Sequence, residues 1–445
     1  MIENSDGRSV RSRRSFLEEV YRDALAAVDS SVATRRALAE YGEDLFPTGP
    51  GDSADVAVLA IGKAAGPMAC EAAAWLEGRL VSGLAITRDE MNSPPSSVEH
   101  LRGDHPIPGE RSAVAARRTR EWLAARGAGE TVLVLLSGGA SALLAGSPPG
   151  LHMSDITEMN RVLLASGAGI DQVNRVRRQV LPCAGGRLAR ATSAKRIEVL
   201  AISDVPGDRL EVIGSGPFVE IQEPPSRTIA ALKSSGVWSE MPGSVARWLE
   251  AESREGGERP RGAHSSEPQV RHRVIASNRD ALAAAVTSCR RSAVKPIVVS
   301  ADLRGEARVV GHRLGRLGSA LSESARPICL IAGGETTVTL RGGGRGGRSQ
   351  ELALAAALAL EGAAEVALLA AGTDGSDGPT DAAGAVVDGW TIERGLQRGV
   401  RAQSCLGDND AYSFFDAEGG LVRTGPTGTN VMDLVLVYAD RTRNA

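Results

Sequence analysis

The chain has 445 residues, enough for two domains that each bury a core of their own, and a formal net charge of −3. Near-balanced charge argues against a nucleic-acid protein, which shows a basic excess. No apolar run is long enough to cross a membrane, and the polar, Arg-rich start (Arg8, Arg11, Arg13, Arg14) is followed by no signal-peptide h-region. The five cysteines (Cys70, Cys183, Cys289, Cys329, Cys405) form no CxxC pair, so reduced thiols and a cytoplasmic protein are expected rather than disulfides or zinc.

In chain order, Phe16–Tyr41 reads as an opening helix and Asp55–Ile61 as an apolar strand. Helix Ala64–Leu80 follows, then strands Gly83–Thr87, Thr131–Leu136 and Ile197–Ile202, with helical stretches Ser112–Ala125 and Asp155–Ala165 between them. Ser253–Glu267 breaks the pattern with Gly, Pro, Ser and charge, which predicts a linker. The alternation restarts with Val274–Ala276, Arg279–Cys289, Pro296–Ser300, Ala307–Ser324 and Ile328–Ala332. Alternating short strands and helices predict two layered α/β domains with mainly parallel sheets, over 1–260 and 270–445.

Ligand sites in such sheets lie at the C-terminal strand ends. Unusual loops follow four predicted strands: Gly62–Ala65, Ser137–Ser141, Ser203–Asp208 and Gly372–Asp381. Lys63 at a strand–helix junction suits a phosphate, and Gly138 and Gly139 would let N–H groups point at an oxyanion. Asp204, Asp208, Asp374, Asp377 and Asp381 suit a Mg²⁺–phosphate site, or are turn and cap residues. The run Gly333–Leu358 carries a β-rich stretch (Thr336–Leu340), a loop rich in glycine with Arg345 and Arg348, and an Ala/Leu-rich helix from about Ser349. Its small residues and arginines predict an anion-binding loop. Matches to a dinucleotide fingerprint (Gly342, Gly344, Gly347) and to a P-loop are nearly inevitable in so glycine-rich a run and specify neither NAD nor a Walker ATPase.

Nine collinear blocks resemble the glycerate 2-kinase family, built of a DUF4147 N-terminal domain and a MOFRL C-terminal domain. They run from AIGKAA (Ala60–Ala65), DHPIPGE (Asp104–Glu110) and LLSGGASALL (Leu135–Leu144), through NRVRRQV with GGRLA (Asn174–Ala189) and SDVPGDRLEVIGSGP (Ser203–Pro217), to LRGEAR (Leu303–Arg308), the glycine-rich run from Gly333, AGTDGSDGPTDAAGA (Ala371–Ala385) and TGPTGTNVMDL (Thr424–Leu434). The resemblance implies a Rossmann-like first domain, an active site in an interdomain cleft, and ATP-dependent phosphorylation of a small hydroxy acid. Its active-site lysine and arginine match Lys63 and Arg348. With Asp204 and Asp374 these form the candidate catalytic set. Ser137, Gly138, Gly139, Ser141, Gly344, Gly346, Gly347 and Glu335 are candidate nucleotide or phosphate contacts, Asn174, Arg177 and Ser349 candidate substrate contacts, and Asp208 and Asp377 candidate metal ligands. Two departures stand out: Ala184 where the family has a lysine, and Ser349 where it has an asparagine. Both are expected to face the cleft and to alter the anion accepted, a hydroxyalkyl phosphonate being one alternative to D-glycerate. ATP and Mg²⁺ are the expected cofactors, and a homodimer is one assembly left open. An NAD(P)-dependent hydroxy-acid oxidoreductase and a non-catalytic metabolite sensor are the readings of other classes.

Overall fold

A computed structural model describes residues 12–46, 55–167, 169–254, 268–324 and 326–441. The predicted linker lies mostly outside them. Two compact units are present, one over Ser30–Ile275, the other joining the segment before Ser30 to Ala276 onward.

The first helix, α1 (Arg13–Ala27), belongs to the second unit. The expected opening helix is thus two helices, and the second, α2 (Ser30–Leu45), belongs to the first unit. That unit continues with β1 (Val56–Ile61), α3 (Ala65–Leu76), β2 (Leu80–Thr87), β3 (Val98–Arg102), α4 (Glu110–Ala124), β4 (Thr131–Leu136), α5 (Ala140–Leu143), α6 (Met153–Ala165), α7 (Ile170–Val180), β5 (Arg196–Ile202), α8 (Pro225–Ser234), α9 (Gly243–Arg254) and β6 (Gln269–Ala276). Its sheet has the order β3-β2-β1-β4-β5-β6, and β3, β2, β1, β4 and β5 pair in parallel. This is the doubly wound order, with its reversal point between β1 and β4. Every residue of β1 is buried, as a central parallel strand requires. Helices α6 to α9 gather around a core of their own that includes Met159, Val176, Leu232 and Leu249.

Val274–Ala276, expected to open the second domain, instead ends the edge strand β6 of the first sheet. An ion pair fastens it there, beside the packing of Val270 on the first unit's core. Glu198 on β5 is fully buried, and Arg271 on β6 reaches it with Nε at 2.7 Å while bonding Asp44 of α2 as well. Burial holds the Glu198 carboxyl above its ordinary pKa and the neighbouring arginines pull it back.

The second unit holds α10 (Asn278–Arg291), β7 (Lys295–Leu303), α11 (Ala307–Leu321), β8 (Ile328–Gly334), α12 (Arg348–Leu360), β9 (Val366–Gly372), β10 (Gly384–Asp388), α13 (Thr391–Gln397), α14 (Ala402–Gly407), α15 (Ala411–Glu418), β11 (Leu421–Val422) and β12 (Asp433–Ala439). Its sheet order is β11-β10-β9-β12-β8-β7. Only β7–β8 pairs in parallel: the last strand, β12, inserts antiparallel between β8 and β9, and β10 runs antiparallel to both β9 and β11. The expectation of a mainly parallel sheet therefore holds for the first unit and not for the second. Thr336–Leu340 forms no strand, only one bridge from Thr337 to Glu306. Helix α1 is fastened here by the Phe16–Tyr438 ring pair at 4.4 Å and by Arg14, which bonds Asp388, Thr391 and the buried Glu418.

Candidate active-site groups of the two units

The first unit assembles its groups at the reversal point. Gly62 leaves β1 at φ 127°, and a Cβ there would overlap Ser137 at the end of β4. The two strand ends are stitched by Lys63 N–H donating to Gly138 O (2.9 Å) and Ala64 N–H donating to Ser137 Oγ (3.0 Å). Ser137 is wholly buried and its hydroxyl serves this stitch, so the expected phosphate contact is corrected to a structural one. Gly138 is glycine because a Cβ would overlap the Asp204 carboxylate, which arrives from the end of β5. Gly139, at φ 89°, would carry a Cβ 3.3 Å from both Lys63 Cγ and His105 Cδ2. Lys63, Asp204 and Gly139 are thus brought together as expected, with His105 added. Nothing but its place in the DHPIPGE block marked that histidine.

Ser141 is bonded to Ser215 (2.7 Å), whose hydroxyl donates to Asn174 Oδ1 (2.9 Å). Asn174 is buried and also donates to Val212 O, so it supports the glycine loop from behind. Asp208 sits in a tight turn at φ 55° after Val205. Ala184 is 2% exposed and borders a void of about 10 Å³ behind Ala140 and Ser141, so it does not face open space as expected. Arg187 bonds the carbonyls of Arg178, Gln179, Leu181 and Ala184, which makes it a structural clasp of that segment.

In the second unit Arg348 opens α12 and grips Asp433, the first residue of β12, through two bonds: Nε to Oδ2 at 2.6 Å and Nη2 to Oδ1 at 2.8 Å. Its Nη1 lies 2.9 Å from Glu335. Asp433 was missed as a site residue because a lone charge heading an apolar strand resembles any strand start. Asp374 lies near it: a Cβ on Gly372 would be 3.3 Å from Asp433 Oδ1 and 3.5 Å from Asp374 Oδ1. Asp377 is buried and takes the N–H groups of Ser349 (3.1 Å) and Gln350 (2.8 Å), one on each oxygen. It therefore caps α12, and the metal-ligand assignment is corrected to a helix cap. Burial, then repulsion from Asp433, pushes its pKa up to about 7. Ser349 is buried at this cap.

From Arg341 to Arg345 the backbone N–H groups of the glycine-rich loop are taken by another stretch of the chain. Asn409 Oδ1 accepts from the N–H of Arg341 and Gly342, Asp408 accepts from Gly343 and Gly344, and Asp410 accepts from Arg345. Added Cβ atoms would overlap Asp408 at Gly342, Asp410 at Gly344 and Asp377 at Gly347, and would touch Ala411 at Gly346. The glycines admit another stretch of chain, and Gly344 is withdrawn as a phosphate contact. Arg345 stacks over Tyr412 at 4.5 Å. Among the described residues no group of three or more His, Cys, Asp or Glu is placed to hold a metal, and no helix is long and apolar enough to cross a membrane.

Comparison with known proteins bears on the family and the fold. The profile described as "Domain of unknown function (DUF4147)" matches residues 16–250, and the MOFRL family matches residues 328–433. A Pyrococcus horikoshii protein named glycerate 2-kinase is 35% identical over 87% of this chain and 88% of its own. The chain belongs to the glycerate 2-kinase family. An Agrobacterium vitis relative named putative hydroxypyruvate reductase is 34% identical over 95% of this chain and 94% of its own. The crystal structure of Thermotoga maritima glycerate kinase superposes with a TM-score of 0.80 at 34% identity, covering 96% of this chain and 99% of that one. Two α/β units are therefore the fold of the family.

Proposed function

We propose that the protein transfers the γ-phosphoryl group of ATP to the hydroxyl of a small hydroxy acid, D-glycerate being the first candidate. The observation that carries this is the convergence of Lys63, His105 and Asp204 on the Gly138–Gly139 turn at the reversal point of a doubly wound sheet. A lysine there neutralises charge developing on the transferred phosphoryl group. Asp204 accepts the hydroxyl proton as the oxygen attacks γ-phosphorus, and ADP leaves. Arg348, with Asp433 and Glu335, supplies the second unit's charged group. Mg²⁺ needs only one or two carboxylates when it also takes phosphate oxygens, and Asp374 fits that role. It would neutralise nucleotide charge.

The glycine-rich loop speaks against hydride chemistry. Its dinucleotide-like spacing has N–H groups already bonded to Asp408, Asn409 and Asp410. The test is ADP release across D-glycerate, L-glycerate and hydroxyalkyl phosphonates, with a parallel NAD(P)H absorbance assay on hydroxypyruvate. Phosphonates belong in the panel because position 184 lacks the family's lysine. ADP release with D-glycerate that stops with EDTA and returns with Mg²⁺ is the expected result. Nicotinamide oxidation without ADP release would replace the kinase with a reductase.

A further inference from the structure

Arg177, on α7, is 8% exposed, and among the described residues no carboxylate pairs with it. Its single side-chain bond runs from Nε to Asn160 Oδ1 on α6, at 2.9 Å. Burial pushes its pKa down to about 10 with no anion to offset the loss of water. Its neighbours differ. Arg175 lies 2.9 Å from Glu223, Arg178 bonds Glu211 O with Glu223 at 3.9 Å, and Arg187 is spent on backbone carbonyls. A buried, unpaired guanidinium is costly to keep, and its planar fork matches a carboxylate.

Its position connects to the site from two sides. One turn earlier on α7, Asn174 holds Ser215, which holds Ser141 of the glycine loop. One turn earlier on α6 than Asn160, Thr157 donates to Pro108 O at 2.9 Å, in the loop that carries His105. Both helices flanking the guanidinium are thus pinned, a turn away, to the loops that form the Lys63 site. Its two terminal nitrogens make no bond within the described residues, and neither is among the fully enclosed unbonded atoms.

We propose that Arg177 is the specificity-determining receptor for the carboxylate of the hydroxy acid, while Lys63 and Asp204 address the phosphoryl group and the hydroxyl. This rests on the phosphoryl-transfer reading above.

The test uses Arg177→Met and Arg177→Lys in the full chain, with D-glycerate as probe and uncharged glycerol as control. Thermal unfolding is recorded with and without each probe, and kcat and KM are measured for D-glycerate. The wild type is expected to gain Tm with D-glycerate and not with glycerol. Arg177→Met is expected to keep or raise the ligand-free Tm, to lose the D-glycerate shift, and to raise KM about a hundredfold with a smaller change in kcat. Arg177→Lys should recover part of both. A folded Arg177→Met that keeps the shift and the KM overturns the proposal. So does failure of both variants to fold, since that would make the guanidinium a structural group. A wild type that shows the Arg177-dependent shift but releases no ADP would sink the kinase reading and leave the receptor standing. Turnover with a KM indifferent to Arg177 would do the reverse.

Discussion

The two glycine loops look alike in sequence and have different surroundings. Gly138 and Gly139 turn beneath a lysine, a histidine and an aspartate that approach from three different strand-end or loop segments. Gly342 to Gly347 is richer in glycine and is filled by Asp408–Asp410 and Asp377. Glycine marks a place where something comes close to the backbone. It does not say whether that something is a ligand or the chain itself. The two basic residues implied by family resemblance sit in different settings: Lys63 joins His105 and Asp204 around the Gly138–Gly139 turn, and Arg348 is clasped by Asp433 and Glu335.

Arg348→Ala gives the largest effect and breaks the symmetry between the two residues. It leaves Asp433, a buried carboxylate, without its two charge-assisted bonds and close to Asp377. Removing one partner of such a pair costs about 3–5 kcal/mol, so stability falls along with turnover. Denaturant unfolding of Arg348→Ala and of the double variant with Asp433→Asn checks this. The double variant should recover part of the loss. An Arg348→Ala protein as stable as wild type would mean that the clasp contributes nothing.

Lys63→Ala is expected to separate function from folding. The lysine should lower the barrier by about 3 kcal/mol, so turnover drops roughly a hundredfold or more while Tm stays within a few degrees. A near-normal kcat in the folded variant would move the phosphoryl contact elsewhere.

How much of this was legible in the sequence follows the same division. Short apolar strands such as Val56–Ile61 and Val366–Gly372 were plain, because a fully buried strand needs an unbroken apolar run. The strand-end placement of Lys63 and Asp204 was legible for the same reason. Helix α1 was not, since an amphipathic helix shows that it has a buried face and not which sheet covers it. The end of the first unit was misplaced because a polar segment was taken for the boundary. The contacts that hold β6 to the first sheet, such as Arg271 with buried Glu198, join residues 73 apart. For Asp377 the cap and the metal ligand were both open, because Asp in a Gly-rich stretch reads equally as turn, cap or ligand, and nothing near Asn409 in sequence pointed to the loop it anchors.

Asp377 provides a readout in the second unit that does not depend on activity. With its pKa raised to about 7, the native state holds a proton between about pH 4 and 7 that the unfolded chain has released. The unfolded state binds fewer protons there, so stability falls as pH rises through that window, by at most about 1.4 kcal/mol per pH unit. Asp377→Asn should flatten this part of the profile while keeping an acceptor for the start of α12. Urea midpoints at half-unit pH intervals measure it. An unchanged slope in the variant would assign the proton to another group.

The smallest effect sharpens the comparison most. Gly342 and Gly343 are adjacent in one loop, and a phosphate cradle would use both. A Cβ on Gly342 would overlap Asp408, including its backbone, whereas one on Gly343 would meet nothing within 4 Å. Gly343 does not have a positive φ, so alanine fits its backbone. Gly343→Ala should therefore leave kcat/KM unchanged and shift stability by no more than about 0.5–1 kcal/mol, in the stabilising direction, by restricting the unfolded chain. Gly342→Ala should cost about 1–3 kcal/mol, because backbone atoms of the Asp408 turn must move. If Gly343→Ala instead raised the KM for ATP with stability intact, the loop would be handling nucleotide after all, and the contrast between the two glycine loops would collapse into a shared role.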